Sequence, residues 1–421
     1  MRLARGVRND FNLFVFGQVS TAFGSALTAV ILPLIAVEKF GAGALQMGLL
    51  HAATAVPVIF LGFLTGVWAD RRNRKRLPLI WTDVASAGTI GLLFLGLVTG
   101  VANFYWLIPV MLFFGVSSLA VEALYFAHLQ TVIGNRTVMN ARAHLIAGER
   151  LGSAAGRGMS GVMVWLGGYA FPLIVDFASY IINAVCLSSI KNPDETPVSK
   201  RHPKLSRELA DGFRVLAKVP VLRAFSTFGP LVSVAEAMIM AILPIVLLRV
   251  LQLPEFLYGG VFVAVLLAAL AGAWVASALE SHLSIRATCG FGLTGIAAST
   301  IMIAMGTSLG PRAGAILVVS GLAVLGIAGS VWNIGLTTLV TRDADSSVLG
   351  RVSLNVHTLT ACAGMVGAML GGWAASRFSV HTEMWASAGV AMTGTLLMAL
   401  TVSRGSAQTQ PPQSPVAPDE K

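Results

Sequence analysis

The stretch GFLTGVWADRRNRKRL, residues 62–77, decides how the chain is read. It closes a long apolar run and sets a lone Asp70 at its edge. It then places five cations, Arg71, Arg72, Arg74, Lys75 and Arg76, within six residues. Apolar sequence resumes on the far side, so the burst reads as a short turn between two membrane spans. The whole composition agrees. Of 421 residues 55% are hydrophobic and 11% charged, where a soluble domain carries about 25% charged residues. Mean hydropathy is +0.77. Apolar runs recur along the chain, and each span needs about 20 apolar residues with its backbone bonds satisfied internally. The implied class is an all-α membrane protein.

Loop signals divide the apolar sequence into twelve expected spans, near 11–37, 44–69, 78–100, 103–128, 141–168, 170–190, 222–250, 256–280, 286–306, 311–340, 349–376 and 381–403. They fall into an N-terminal six-helix bundle (1–190), a central loop (191–221), a C-terminal six-helix bundle (222–403) and a tail (404–421). The tail is rich in Pro and Gln and has little to bury, so disorder is expected. Residues 205–218, LSRELADGFRVLAK, read either as an amphipathic surface helix or as a solvated linker.

A net charge of +10 raises the question of a nucleic-acid partner. The cations stand in short loops between spans, where Lys and Arg set orientation, so no nucleic acid is expected. Their distribution places both termini in the cytoplasm and the protein in the plasma or inner membrane. The basic start, MRLARGVRND, precedes a run too long for a cleaved signal peptide, so the first span is read as retained. Cys186, Cys289 and Cys362 stand singly, which gives neither a disulfide framework nor a metal site. No phosphate-cradling Gly-Lys-Ser/Thr loop, HExxH or Gly-x-Ser-x-Gly elbow occurs. The chain therefore reads as no enzyme, with no cofactor, and an ion gradient is left as the energy source.

The halves echo each other. Gly62, Gly66 and Asp70 recur as Gly272, Ala276 and Glu280 at a constant offset (272 − 62 = 210), and Pro33 falls near Pro244. Parallel six-span repeats are one way secondary transporters are built.

On these residues the chain resembles the major facilitator superfamily. Gly62, Gly66, Asp70, Arg71, Arg74 and Lys75 follow its loop signature, roughly G-x3-G-x3-D-R-x-G-R-[RK], with Asn73 where Gly is usual. NARAHL (140–145), GRGMSG (156–161) and DFASY (176–180) are similar to the drug:proton antiporter branch that includes macrolide and siderophore exporters. The resemblance implies two pseudo-symmetric bundles that rock around a central site. It also implies a cytoplasmic latch built from the loop signature; the plain alternative is that the cations only enforce topology. Gly62 and Gly66 offer a small-residue face to the eleventh span, with Gly364, Ala368, Gly371 and Gly372 as its expected partner. Gly148, Gly152, Gly156 and Gly161 are similar to the antiporter glycine motif, except that Arg157 stands where exporters carry Pro.

Ionisable groups inside spans are costly and so are candidate sites. Glu236, in VSVAEAMIMAILP, has no cation close in sequence and is the first candidate for proton coupling or substrate contact, against a plain structural acid. Glu122, Glu149, Arg157 and Asp176 complete the set, with Glu122–Arg150 or Glu149–Arg142 pairing as the plain alternative. Asp176 shares a face with Tyr180 and Asn183 and reads more as scaffold than as site. The expected function is proton-coupled efflux of a hydrophobic or amphipathic small molecule. An uptake symporter of the same fold, or a non-transporting membrane sensor or scaffold, are the alternatives. The expected partners are that small molecule, protons and the lipid bilayer, with a monomer by default.

Overall fold

The protein is described by a computed structural model covering residues 5–70, 72, 74–133, 138–191, 220–343 and 349–406. The central loop, most of the tail, Arg71 and Asn73 lie outside the described residues, as does the expected 205–218 helix. Twelve α-helices account for nearly all of it: α1 Arg5–Leu34, α2 Ala44–Asp70, α3 Arg76–Val98, α4 Phe104–Ile133, α5 Val138–Gly167, α6 Ala170–Ser189, α7 Pro220–Ile245, α8 Glu255–His282, α9 Ile285–Gly306, α10 Pro311–Asp343, α11 Leu349–Arg377 and α12 Val380–Ser406. Helix α12 runs two residues past Arg404, so the tail begins as helix. Ten of these are long and apolar enough to cross a membrane. The charges of α5 (Arg142, Glu149, Arg150, Arg157) keep it below that level, and α12 is the other helix outside the ten. Both pack into the same bundles as the other ten.

Packing repeats across the two halves. In the first, α1 lies against α5 and α6, α3 against α4 and α6, and α2 against α4. In the second, α7 lies against α11 and α12, α9 against α10 and α12, and α8 against α10. Two seams join the halves, α2 on α11 and α5 on α8, with α2 also touching α7. Each helix reverses direction from the last, which gives the molecule two ends. One, here the termini end, carries the Asp70–Arg76 turn. The opposite end carries the Lys39–Ala44 and Val250–Glu255 turns.

The duplication reaches the backbone. After Pro33 the chain enters a π-turn at Ile35–Lys39, and after Pro244 an equivalent one at Val246–Val250. The i→i−5 bonds Phe40 N–H to Ile35 O (3.1 Å) and Leu251 N–H to Val246 O (2.9 Å) close the two turns a few residues beyond each proline. Each turn then passes through the left-handed region, at Gly41 (φ +66°) and at Gln252 (φ +51°). Glycine adopts that conformation freely and glutamine does not.

Candidate functional site

The seams are made where glycine lets backbones touch. On α2, a Cβ at Gly48 would lie 2.9 Å from the Cα of Gly372, and on α11 a Cβ at Gly372 would lie 2.7 Å from the Ala44 carbonyl. On the other seam, Gly161 of α5 abuts the Phe256 carbonyl of α8, and Gly259 of α8 abuts the Arg157 carbonyl. These are one contact made twice: 259 − 48 and 372 − 161 both give 211. Both seams sit toward the opposite end. There the Arg249 guanidinium donates to the Val37 carbonyl across the halves (2.7 Å), and Tyr169, ahead of α6, faces Glu255 at the start of α8.

Toward the termini end, this glycine contact is not repeated at Gly62. A Cβ at Gly62 would meet nothing within 4 Å. The expected pairing of Gly62 with the glycines of α11 is therefore replaced. It is Gly48, four helical turns away, that meets α11, through Ala368 and Gly372, while Gly367 and Gly371 turn inward onto Val234 and Met238 of α7. Asp70 ends α2, and Gly66 lies within it. Lys75 is buried at the start of α3 and Arg74 is exposed. Arg72 stacks over the Trp68 ring at 5.3 Å, and with Arg74, Trp81 and Phe113 it lines a recess of about 790 Å³ between α2, α3 and α4. That recess belongs to the first bundle and lies apart from the space between the bundles.

The glycine-rich α5 has two working faces. Gly148, Gly152 and Gly156 lie against Val19 and Phe23 of α1, with a Cβ at Gly152 only 2.7 Å from the Val19 carbonyl. Gly158 and Gly161 lie against Val263 and Phe256 of α8. The helix is thereby clamped both within its own bundle and across the seam.

The intramembrane ionisable groups separate into three settings. Glu236 stands in the middle of α7, whose apolar window is the most enclosed of the ten. Its neighbours Ala235 and Ala237 are 1% and 7% exposed, yet Glu236 itself is exposed. Gly229, Ser233 and Met240, on its face by helical spacing, are part-exposed as well. The other faces of α7 are packed on α11, α12 and α2, so this one opens into the space between the bundles. Glu122 of α4 is exposed. Glu149 of α5 is half-buried and faces the Tyr125 hydroxyl, with the Arg150 charge acting on it. Arg157 is half-buried on the α5–α8 seam, and the charge it feels is Arg150, two turns back. Asp176 is wholly buried among α1, α3 and α6. Sequence reasoning passed over Asp83 of α3, which is 3% exposed and accepts a hydrogen bond from Asn183 (2.7 Å), and Glu383 of α12, which is 0% exposed. The rule that singles out Glu236, a lone acid in an apolar run, applies equally to Asp83.

No group of three or more His, Cys, Asp or Glu suited to a metal occurs among the described residues. The arrangement offers an acid reachable from a cleft between two bundles.

Comparison with known proteins agrees with this architecture. The enterobactin exporter EntS of Escherichia coli O1:K1 is 28% identical over 373 residues, 87% of this chain and 86% of the relative. Among solved structures, a bacterial homologue of the lysosomal transporter Spinster, inward-facing and unoccupied, superposes with a TM-score of 0.76 at 13% identity, over 98% of this chain and 100% of that one. A bacterial homologue of the iron transporter ferroportin, also inward-facing, gives 0.75 at 13% identity, over 94% and 99%. The family model of the Major Facilitator Superfamily matches residues 14–354. With its duplicated six-helix bundles and its cleft between them, this multi-pass membrane protein belongs to the Major Facilitator Superfamily of transporters.

Proposed function

We propose that the protein exports a hydrophobic or amphipathic small molecule in exchange for protons, with Glu236 as the acid that proton and substrate share. One observation carries this reading: an exposed carboxylate halfway along the most enclosed span, facing the space between the bundles. A lone acid at that depth is costly unless it is used. The cations of the termini end favour a cytoplasmic position for that end, in a plasma or inner membrane. The cleft then opens to the cytoplasm in this state, and residues 1–190 and 222–403 are the two bodies that rock. The similarity to an enterobactin exporter favours outward movement. On this reading the Gly62–Lys75 block is an unengaged latch, closed only in the opposite state.

The test has two stages. A panel of drugs and metabolites is screened for thermal stabilisation of the purified protein, and the best ligand is then exchanged against a pH gradient in proteoliposomes. Glu236→Gln is expected to lower proton-driven exchange at least tenfold while leaving the protein folded; exchange at the unmodified rate rejects the assignment. Movement of the ligand into inverted vesicles separates export from uptake.

A further inference from the structure

The first bundle holds two carboxylates that the cleft does not use. Between α1, α3 and α6 a polar column runs along one face of α6. Asp176, 0% exposed, accepts hydrogen bonds from the hydroxyls of Thr28 and Ser179. One turn on, the Tyr180 hydroxyl shares a hydrogen bond with Ser25 (2.9 Å) and stands beside Ser86. Three residues further, Asn183 donates to Asp83 (2.7 Å), and its own Oδ1 is buried with no partner among the described residues. Helix α1 makes room for the column with glycine: a Cβ at Gly24 would lie 2.5 Å from an Asp176 oxygen, and one at Gly17 would strike Asn183. Asp176 and Asn183 are two helical turns apart, so the column covers about 10 Å of the membrane's depth.

The groups facing it are few. Helix α3 contributes Asp83, α6 contributes Asp176 and Tyr180, and the Phe114 ring of α4 stacks on Tyr180. On α1 the facing groups are the Ser25 and Thr28 hydroxyls. Glu149, Arg150 and Arg157 lie on α5, and Asp10, Arg76 and Lys191 lie at the termini end, where Asp10 accepts from the Lys191 N–H and Arg76 donates to the Ile190 carbonyl. Among the described residues no cation faces either carboxylate.

The second bundle answers whether such a column is needed to hold the fold. There, α12 repeats the buried pattern of α6 at most positions, with buried Ser387, Ala391 and Gly394 in the places of Asp176, Tyr180 and Asn183 (387 − 176 = 211). Buried Leu293 of α9 stands for Asp83 (293 − 83 = 210), and Ile239 of α7 for Thr28. The same three-helix seam closes on leucine, isoleucine and small residues. The acids of the first bundle are therefore surplus to architecture, and an uncompensated carboxylate inside a membrane bundle is expensive.

We propose that the Asp176–Tyr180–Asn183–Asp83 column is a proton-binding site of the first bundle, separate from the central cleft. The proton neutralises a carboxylate that has hydroxyl and amide donors but no cation. Because α1 carries the column's Ser25 and Thr28 and runs on into the π-turn whose Val37 carbonyl receives Arg249, proton binding here biases how the bundles meet. The site stands whichever acid meets the substrate and whichever way the substrate moves.

Infrared difference spectra between acid and alkaline pH test it, recorded on the protein in liposomes without substrate. The carboxylic C=O band is expected to persist in Glu236→Gln and to be lost, in part, in Asp83→Asn and Asp176→Asn. Spin labels at Leu45 and Ser376, at the opposite end of the α2–α11 seam, should report a pH-driven change in separation that survives Glu236→Gln and disappears in the Asp83 and Asp176 variants. Spectra of those variants that superpose on the unmodified protein overturn the proposal, as does a response that follows sodium at constant pH. If either neutral variant fails to fold, Asn183→Ala leaves both acids in place and should shift the band's titration midpoint by at least half a pH unit; an unmoved midpoint overturns the proposal equally.

Discussion

The seam of α1, α3 and α6 and the seam of α7, α9 and α12 have the same geometry and opposite chemistry. One closes on Asp83, Asp176, Tyr180 and Asn183, the other on Leu293, Ser387, Ala391 and Gly394. The buried acid of the second seam among the described residues, Glu383, stands near the opposite end, in the place of Pro172. The cleft shows the reverse bias. Glu236 on α7 occupies the position that Ser25 holds on α1 (236 − 25 = 211). Duplication thus fixes where helices lie but not their chemistry: Asp83 and Asp176 stand inside the first wall, while the second half sets Glu236 toward the cleft and Glu383 inside its wall near the opposite end.

That contrast can be broken on purpose. The largest effect is expected from importing an acid where no donors wait for it. Leu293→Asp should destabilise the protein by about 3–5 kcal/mol, the scale for an uncompensated buried charge, seen as a loss of folded protein in thermal unfolding. The reverse conversion, Asp83→Leu with Asn183→Gly and Asp176→Ser, should cost far less in the same assay, since the second bundle already folds with that set. A comparable collapse would mean the polar column is scaffold.

Next come the two crossings between halves. Because Gly161 and Gly372 each press a backbone with no side chain between, Gly161→Leu and Gly372→Leu should both prise the opposite end apart. Spin-label separations there should widen in both, and a response at one seam only would deny their equivalence. A smaller effect is expected from Arg249→Gln, which removes a charge-assisted bond to the Val37 carbonyl. At about 1.5–3 kcal/mol for such a bond, the closed population at that end should fall at least tenfold in the same measurement. The smallest change lies in the left-handed residues after the π-turns. Gln252→Gly should stabilise by about 1 kcal/mol and Gly41→Gln should destabilise by about as much, read as opposite shifts in melting temperature.

Much of the architecture was legible because hydropathy and charge act locally. Apolar runs closed by loops of Arg and Lys, as at 62–77, mark spans without any knowledge of their neighbours. The repeat was legible too, from Gly62 to Gly272 and Pro33 to Pro244. What escaped were pairings set by the third dimension. Nothing near TDVASAG says that Asp83 meets Asn183 a hundred residues later, or that Ser25 meets Tyr180. The glycines show the same boundary. Their spacing on α5 and α11 announces close approach, but which backbone each receives depends on helix rotation, and Gly48 rather than Gly62 takes the contact with α11. For Glu236, sequence supplied the lone acid; its exposure within an enclosed helix is a property of the packed bundle.

The glycine crossing of α2 and α11 also sets a length. From Gly372 to Leu349 the helix α11 runs on for about 35 Å at about 1.5 Å per residue. It behaves as a lever whose bearing lies near one end. With backbone resting directly on backbone at Gly48 and Gly372, no side chain is wedged between the two helices at that point. A tilt of about 10° about that bearing sweeps the far tip through about 6 Å on an arm of this length, a stroke wide enough to admit or shut out a small molecule while hardly disturbing the point on which it turns.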